Sequence, residues 1–285
     1  MIVDCHCHAG KGDGMTAPWT TDAPIEPYLR RARKAGIDKT VVFAPFHSDY
    51  DQANQQVARI IARHPGRLIG FAFVHARRDA GRILNMVRRA RSWGFRGIKA
   101  HGFEAMPTRE LCEAARVFRM PLLIDVVGRA EVVDMLAPQF TDVNFIIPHL
   151  GSFGDDWRAH QLVIDQLVRY PNVYADTSAV RRFDYIVEAV QRAGPRKLLF
   201  GSDGPWLHPG VELHKIRLLG LSSRSEALIL GENILGLLRR VKNDAESPGR
   251  LRSASPKQTR KFAYRTAVSA EPARTLPGAP LEHEL

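Results

Sequence analysis

The sequence predicts an α/β fold of the (β/α)8 TIM-barrel type, followed by a tail. Eight short runs rich in Val, Ile, Leu and Phe recur along the chain. Longer amphipathic stretches separate them. The repeat is roughly 30 residues over about 240, which matches the count and length of eight β/α units. A doubly wound open sheet is the competitor, but it usually has fewer strands and a Gly-rich phosphate loop. No G-x-G-x-x-G follows any run.

The runs are Met1–Cys7, Thr40–Pro45, Leu68–Val74, Gly97–His101, Leu122–Val127, Asn144–His149, Asn172–Asp176 and Lys197–Ser202. Nearly continuous hydrophobicity bounded by Gly, Pro or Asp is how parallel strands covered on both faces read. Helix patterns lie between them. Pro27–Ala35 ends at Gly36, and Asp51–Arg63 sets Ala53, Val57, Ile60 and Ile61 on one face before Pro65. Gly81–Trp93 ends at Gly94. Thr108 reads as the N-cap of a helix to about Arg119, Trp157–Arg169 stops before Pro171, and Phe183–Ala193 stops at Gly194-Pro195. Such stops are the expected ones.

The barrel is expected over residues 1–242 and a mostly disordered tail over 243–285. The tail holds five prolines, scattered Ser, Arg and Thr, and little apolar periodicity. Its seven basic and five acidic residues explain little of the net charge of +11. That charge is spread as pairs such as Arg30-Arg31 and Arg88-Arg89 rather than gathered in a basic block interleaved with aromatics. A solvated Arg-rich surface is therefore preferred to a nucleic-acid face. No apolar run reaches the roughly 18 residues of a membrane span, and Met1-Ile2-Val3 leads into polar residues with no signal-like apolar segment. Three cysteines, Cys5, Cys7 and Cys112, make no disulfide framework and fit a reducing cytoplasm.

Catalytic groups of such a barrel stand at the C-terminal strand ends. Strand 1 ends His6-Cys7-His8. Alternate residues share a face, so His6 and His8 point one way and can chelate one cation, while Cys5 and Cys7 pack toward the helices. Strand 8 ends Gly201-Ser202-Asp203-Gly204-Pro205. On closure Asp203 adjoins strand 1 and can reach the same cation or take a proton from its water; the competing reading is a turn or N-cap aspartate. Strand 6 ends at His149, suited to a ligand or a general acid/base. Strand 4 ends Lys99-Ala100-His101. Lys99 and His101 share a face, and Lys99 can neutralise a substrate carboxylate or an oxyanion.

In Ile2-Val3-Asp4-Cys5-His6-Cys7-His8, Gly97-Ile98-Lys99-Ala100-His101, Pro148-His149-Leu150-Gly151, Leu199-Phe200-Gly201-Ser202-Asp203-Gly204-Pro205 and Leu230-Gly231-Glu232-Asn233-Ile234, the chain resembles a known group over about residues 1–240. This is the amidohydrolase-related family, the branch of the amidohydrolase superfamily with aminocarboxymuconate-semialdehyde decarboxylase-like enzymes and small lactonases. The resemblance implies one divalent cation, usually Zn2+, held by His6, His8 and Asp203, with His149 acting in catalysis. It also implies a small-molecule substrate and admits a homodimer. A strand-5 histidine normally completes the ligand set, but Asp125 stands in that place here. Three arrangements follow: Asp125 ligates directly, His149 becomes a ligand, or the site binds metal poorly.

The expected activity is metal-dependent hydrolysis of a C–O or C–N bond in a small anionic substrate. Asp203 or His149 handles the proton, and Lys99 and His101, with Arg181 and Arg182 after strand 7, hold the anion. Asp4, one pleat below His6, is expected to orient the imidazoles, and Trp157 and Trp206 either to wall the pocket or to pack against helices. A rival on the same scaffold is non-oxidative decarboxylation of an unsaturated or aromatic acid. A further rival is a non-catalytic, degenerate barrel.

Overall fold

The apolar runs pair in chain order. In the computed structural model, which describes residues 1–13, 21–239 and 241, eight parallel strands form one sheet. They are β1 (Val3–His8), β2 (Lys39–Phe43), β3 (Leu68–Phe73), β4 (Gly97–His101), β5 (Leu122–Asp125), β6 (Phe145–Ile147), β7 (Val173–Asp176) and β8 (Leu198–Leu199). The chain after β8 runs beside β1. Cys5 N–H donates to Phe200 O at 2.9 Å and His8 N–H to Gly204 O at 2.6 Å, so the ring closes between first and last strands.

Helices pack between the strands and cover the sheet. Those in the order of the repeat are α1 (Ile25–Lys34), α2 (Tyr50–Arg63), α3 (Ile83–Ser92), α4 (Arg109–Phe118), α5 (Glu131–Leu136), α6 (Trp157–Arg169), α7 (Phe183–Ala193) and α8 (Pro209–Arg217). Their starts follow local chemistry. Asp49 accepts from the Asp51 and Gln52 N–H groups, Thr108 from Leu111, and Asp156 from Arg158 and Ala159, satisfying donors that a helix start leaves free. Both sheet faces are buried, with Phe71, Phe73, Phe145 and Ile98 among the fully enclosed side chains.

The strands most shortened relative to the apolar runs, β5, β6 and β8, stop early for local reasons. β5 stops at Asp125 because Val127 takes a left-handed φ of 51°. β6 stops at Ile147 because Pro148–Gly151 coils into a tight turn. β8 ends after Leu199 because the Phe200 N–H leaves the sheet for Ile229 O at 2.9 Å. α3 starts at Ile83 rather than Gly81, since the Glu110 carboxylate accepts the N–H groups of both Gly81 and Ile83 and holds the turn before it. The expected tail, residues 243–285, lies outside the described residues. Among the described residues no helix is long and apolar enough to cross a membrane.

Candidate active site

The C-terminal strand ends surround a cavity of about 400 Å3. Its floor is polar: His6, His8, Lys99, His101, Asp125, His149 and Asp203. Its walls are aromatic: Phe46, Phe103, Phe153 and Trp206. Trp206 lies against His8 with ring centroids 4.6 Å apart, and Phe153 meets His149 edge-on at 5.3 Å.

His6, His8 and Asp203 converge. The Nε2 atoms of His6 and His8 lie 3.4 and 3.6 Å from Asp203 Oδ1. The other nitrogen of each ring is engaged behind. His6 Nδ1 is 2.8 Å from Asp176 Oδ2, and His8 Nδ1 is 3.0 Å from the Ala44 carbonyl. Both partners only accept, so Nδ1 carries the proton and Nε2 offers its lone pair to the cavity. Burial pulls the His6 imidazole down to about 4, against the pull of Asp176, and lowers His8 well below its ordinary value. Both rings are neutral at pH 7, the ligand form. Two imidazole lone pairs and a carboxyl oxygen thus face one another across 3.4 and 3.6 Å. That donor set fits a divalent cation such as Zn2+.

Asp203 reaches this position from a strained residue with φ 54°. Burial raises its carboxyl to about 7, although His149 and Lys99 pull the other way. The chain there passes so close to α1 that a Cβ on Gly204 would lie 2.5 Å from the Tyr28 ring, so only glycine fits.

Asp125 is not one of the converging three. Its Oδ1 accepts from Val127 N–H at 2.9 Å, and its Oδ2 is 3.1 Å from His101 Nε2. The β4–β5 register sets His101 beside it. His101 Nδ1 accepts from Phe103 N–H at 3.2 Å, so its Nε2 bears the proton and donates to Asp125. With its oxygens so occupied, Asp125 faces His149 Nε2 at 3.5 Å. Burial would lower His149, but Asp125, Asp203 and Asp176 outweigh it and raise the imidazole to about 9. Burial lowers His101 despite Asp125. One carboxylate therefore separates a neutral imidazole from a charged one. His149 is likewise outside the converging three.

Asp176 and Ser178 escaped the sequence reading. Asp176 ends β7, and its Oδ1 accepts from His149 N–H at 3.1 Å, Ser178 N–H at 3.0 Å and Ser178 Oγ at 2.5 Å. Burial opposes the charge, yet His6, His149 and Ser178 hold Asp176 at about 2. His149 Nδ1 lies 3.0 Å from Ser178 O. The available signal was an acid closing an apolar run at a strand end, as at Asp203. His6, His149 and Asp176 also gather closely enough for an ion, but the His6 and His149 Nδ1 atoms are spent on these hydrogen bonds.

Lys99 is fully buried, its Nζ 4.9 Å over the Phe43 ring and without a hydrogen-bond partner among the described residues. Burial lowers its pKa against the pull of Asp125, Asp176 and Asp203. Other expected contacts are not made. Arg181 and Arg182 are exposed and do not line the cavity; Arg181 sits 3.8 Å from Asp155 and Arg182 2.6 Å from Asp184. Trp157 is also exposed and off the cavity. Asp4 touches neither imidazole. It accepts from Tyr28 Oη at 2.6 Å, from His6 N–H at 3.0 Å and from the Ser202 N–H and Oγ. Its carboxylate joins β1 to the end of the ring.

A family profile described as amidohydrolase matches residues 3–240. Curated protein sequences give no match. Solved structures similar in fold include a probable 2-pyrone-4,6-dicarboxylic acid hydrolase from Acinetobacter baumannii with citric acid bound: 17% identity, TM-score 0.67, 84% of this chain and 99% of that one. The 2,6-dihydroxybenzoate decarboxylase from Rhizobium is 13% identical, with TM-score 0.62 over 84% and 98%. An amidohydrolase from Burkholderia multivorans with bound zinc is 12% identical, with TM-score 0.70 over 84% and 99%.

Proposed function

The chain belongs to the amidohydrolase family, and on that premise we propose that it hydrolyses a C–O or C–N bond of a small anionic substrate with the help of one divalent cation. The convergence of His6 Nε2, His8 Nε2 and Asp203 Oδ1 carries this reading. Those three residues would hold the cation, for which zinc is our choice. When bound, it supplies Lewis acidity and lowers the pKa of a water from about 15.7 towards 7.

The remaining work falls to side chains. Asp203 accepts the proton of the attacking water on its second oxygen. His149, charged beside Asp125, delivers a proton from Nε2 to the leaving atom. Lys99 Nζ pairs with the substrate's anionic group, which supplies the partner that the buried ammonium lacks. Phe46, Phe103, Phe153 and Trp206 exclude water and suit a ring-sized apolar body. Among the described lining residues Lys99 is the one Lys or Arg, which favours a single carboxylate over two.

Decarboxylation is the second reading. The protonated His149 could protonate a carbon instead, and one fold neighbour is named as a decarboxylase of an aromatic acid. The decisive experiment starts with elemental analysis of the wild type beside His6→Ala and Asp203→Asn. A screen of lactones, amides and unsaturated acids in H2(18)O and in D2O follows. Solvent oxygen in the product supports hydrolysis. Released CO2 with deuterium on carbon supports the rival. Less than about a tenth of an equivalent of metal, with no uptake on addition, overturns both readings.

A further inference from the structure

The turn that carries His149 is strained. His149 has φ 57° and Leu150 φ 49°, both left-handed, and Gly151 follows at φ 98°. Two consecutive side-chain-bearing residues in that region need restraint from outside. The turn is seated close against α6: a Cβ on Gly151 would lie 2.6 Å from Val163 Cγ2, so only glycine fits there.

His160, near the start of α6, supplies a restraint. It is fully buried, and its Nδ1 is 3.0 Å from the Leu150 carbonyl. The carbonyl only accepts, so Nδ1 carries the proton. The opposite nitrogen, Nε2, has no hydrogen-bond partner among the described residues, and the ring sits 4.8 Å from Tyr185. As packing, this is a poor choice. A leucine would fill the space without burying an unsatisfied nitrogen. Among the described residues the imidazole makes one hydrogen bond, and it is to the turn that carries His149.

We propose that His160 is a positioning residue for His149: its Nδ1–H clamps the Leu150 carbonyl and keeps the 148–151 turn left-handed, which aims His149 Nε2 into the cavity. The inference rests on the catalytic role given to His149 above. Asp176 and Ser178 restrain His149 from the sheet side, and His160 does so from the helix layer.

The test uses the full-length, metal-loaded protein with His160→Leu, His160→Asn and His160→Gln. An asparagine amide stands close to Nδ1; a glutamine amide reaches towards Nε2 instead. Leu and Gln should lower kcat by about tenfold or more while KM stays within about threefold. Metal content should hold, and Asn should recover most of kcat. A merely structural histidine would lose stability and activity in parallel in all three, and Asn no better than Leu overturns the proposal. The crystal structure of His160→Leu gives an arm independent of turnover. There the positive φ values of His149 and Leu150 should be lost, or His149 Nδ1 should part from Ser178 O; an unchanged turn overturns the proposal. If the wild type turns over none of the screened compounds, the functional reading fails and the crystallographic arm still decides this one.

Discussion

Asp176 Oδ2 lies 2.8 Å from His6 Nδ1, while Asp176 Oδ1 accepts the backbone N–H of His149. One buried carboxylate therefore fixes the tautomer of a candidate metal ligand and the position of a candidate proton donor. Asp176→Asn keeps the size but turns one acceptor into a donor. Metal affinity should fall by about 10–100-fold, read by competition with a chromophoric chelator.

Asp203 is asked both to bind and to take a proton. Asp203→Asn should lower kcat by a factor of about 10^2–10^4, with reduced metal content by elemental analysis. Retained activity with metal bound would remove Asp203 from the mechanism.

The His149–Asp125 pair gives the metal-free protein a pH signature. His149 is raised from 6.5 to about 9, so its contribution to stability is complete below pH 6.5 and is lost as pH rises through about 9. Asp125 is held well below its ordinary 3.8 by His101 and His149 against burial, so its contribution is present above 3.8 and lost as pH falls through its lower folded value. The melting temperature of the metal-free protein should decline between pH 6.5 and 9, and His149→Gln should flatten that decline.

Lys99 sets function against stability. Lys99→Met removes a buried ammonium with no hydrogen-bond partner among the described residues and should raise the melting temperature. KM for an anionic substrate should rise by about 10–100-fold, the worth of a hydrogen bond to a charged group. A neutral analogue should bind both forms alike.

Arg181→Ala and Arg182→Ala should leave KM within about twofold, because exposed arginines paired to surface acids contribute little. A large rise in KM would restore the role their place after β7 suggested.

The barrel was legible because each strand is covered on both faces, which leaves eight apolar runs. Alternation along β1 placed His6 and His8 on one side, and the order of strands brought Asp203 to them. What stayed hidden depends on backbone that leaves the strand geometry. The left-handed residues at Val127, His149 and Asp203 decide where Asp125, His149 and Asp203 point, and no period-2 pattern predicts a left-handed residue. Asp125 was read from its place in the motif alone. Its neighbour His101 became its partner only through the β4–β5 register. Asp4 departs from its expected role for a similar reason: sharing a face with His6 says nothing about the hydroxyl of Tyr28, which arrives from α1.

The joint between the barrel's two ends has a consequence for biosynthesis. Asp4 and Ser202, 198 positions apart, meet only when the ring closes, and the residues that would hold the cation sit on opposite sides of that seam. A nascent chain still lacking its final β/α unit would carry both histidines and no pocket for them. If the proposed cation binds there, its capture would come at the end of folding, and an added ion would report on whether the circle is complete rather than guide the earlier steps.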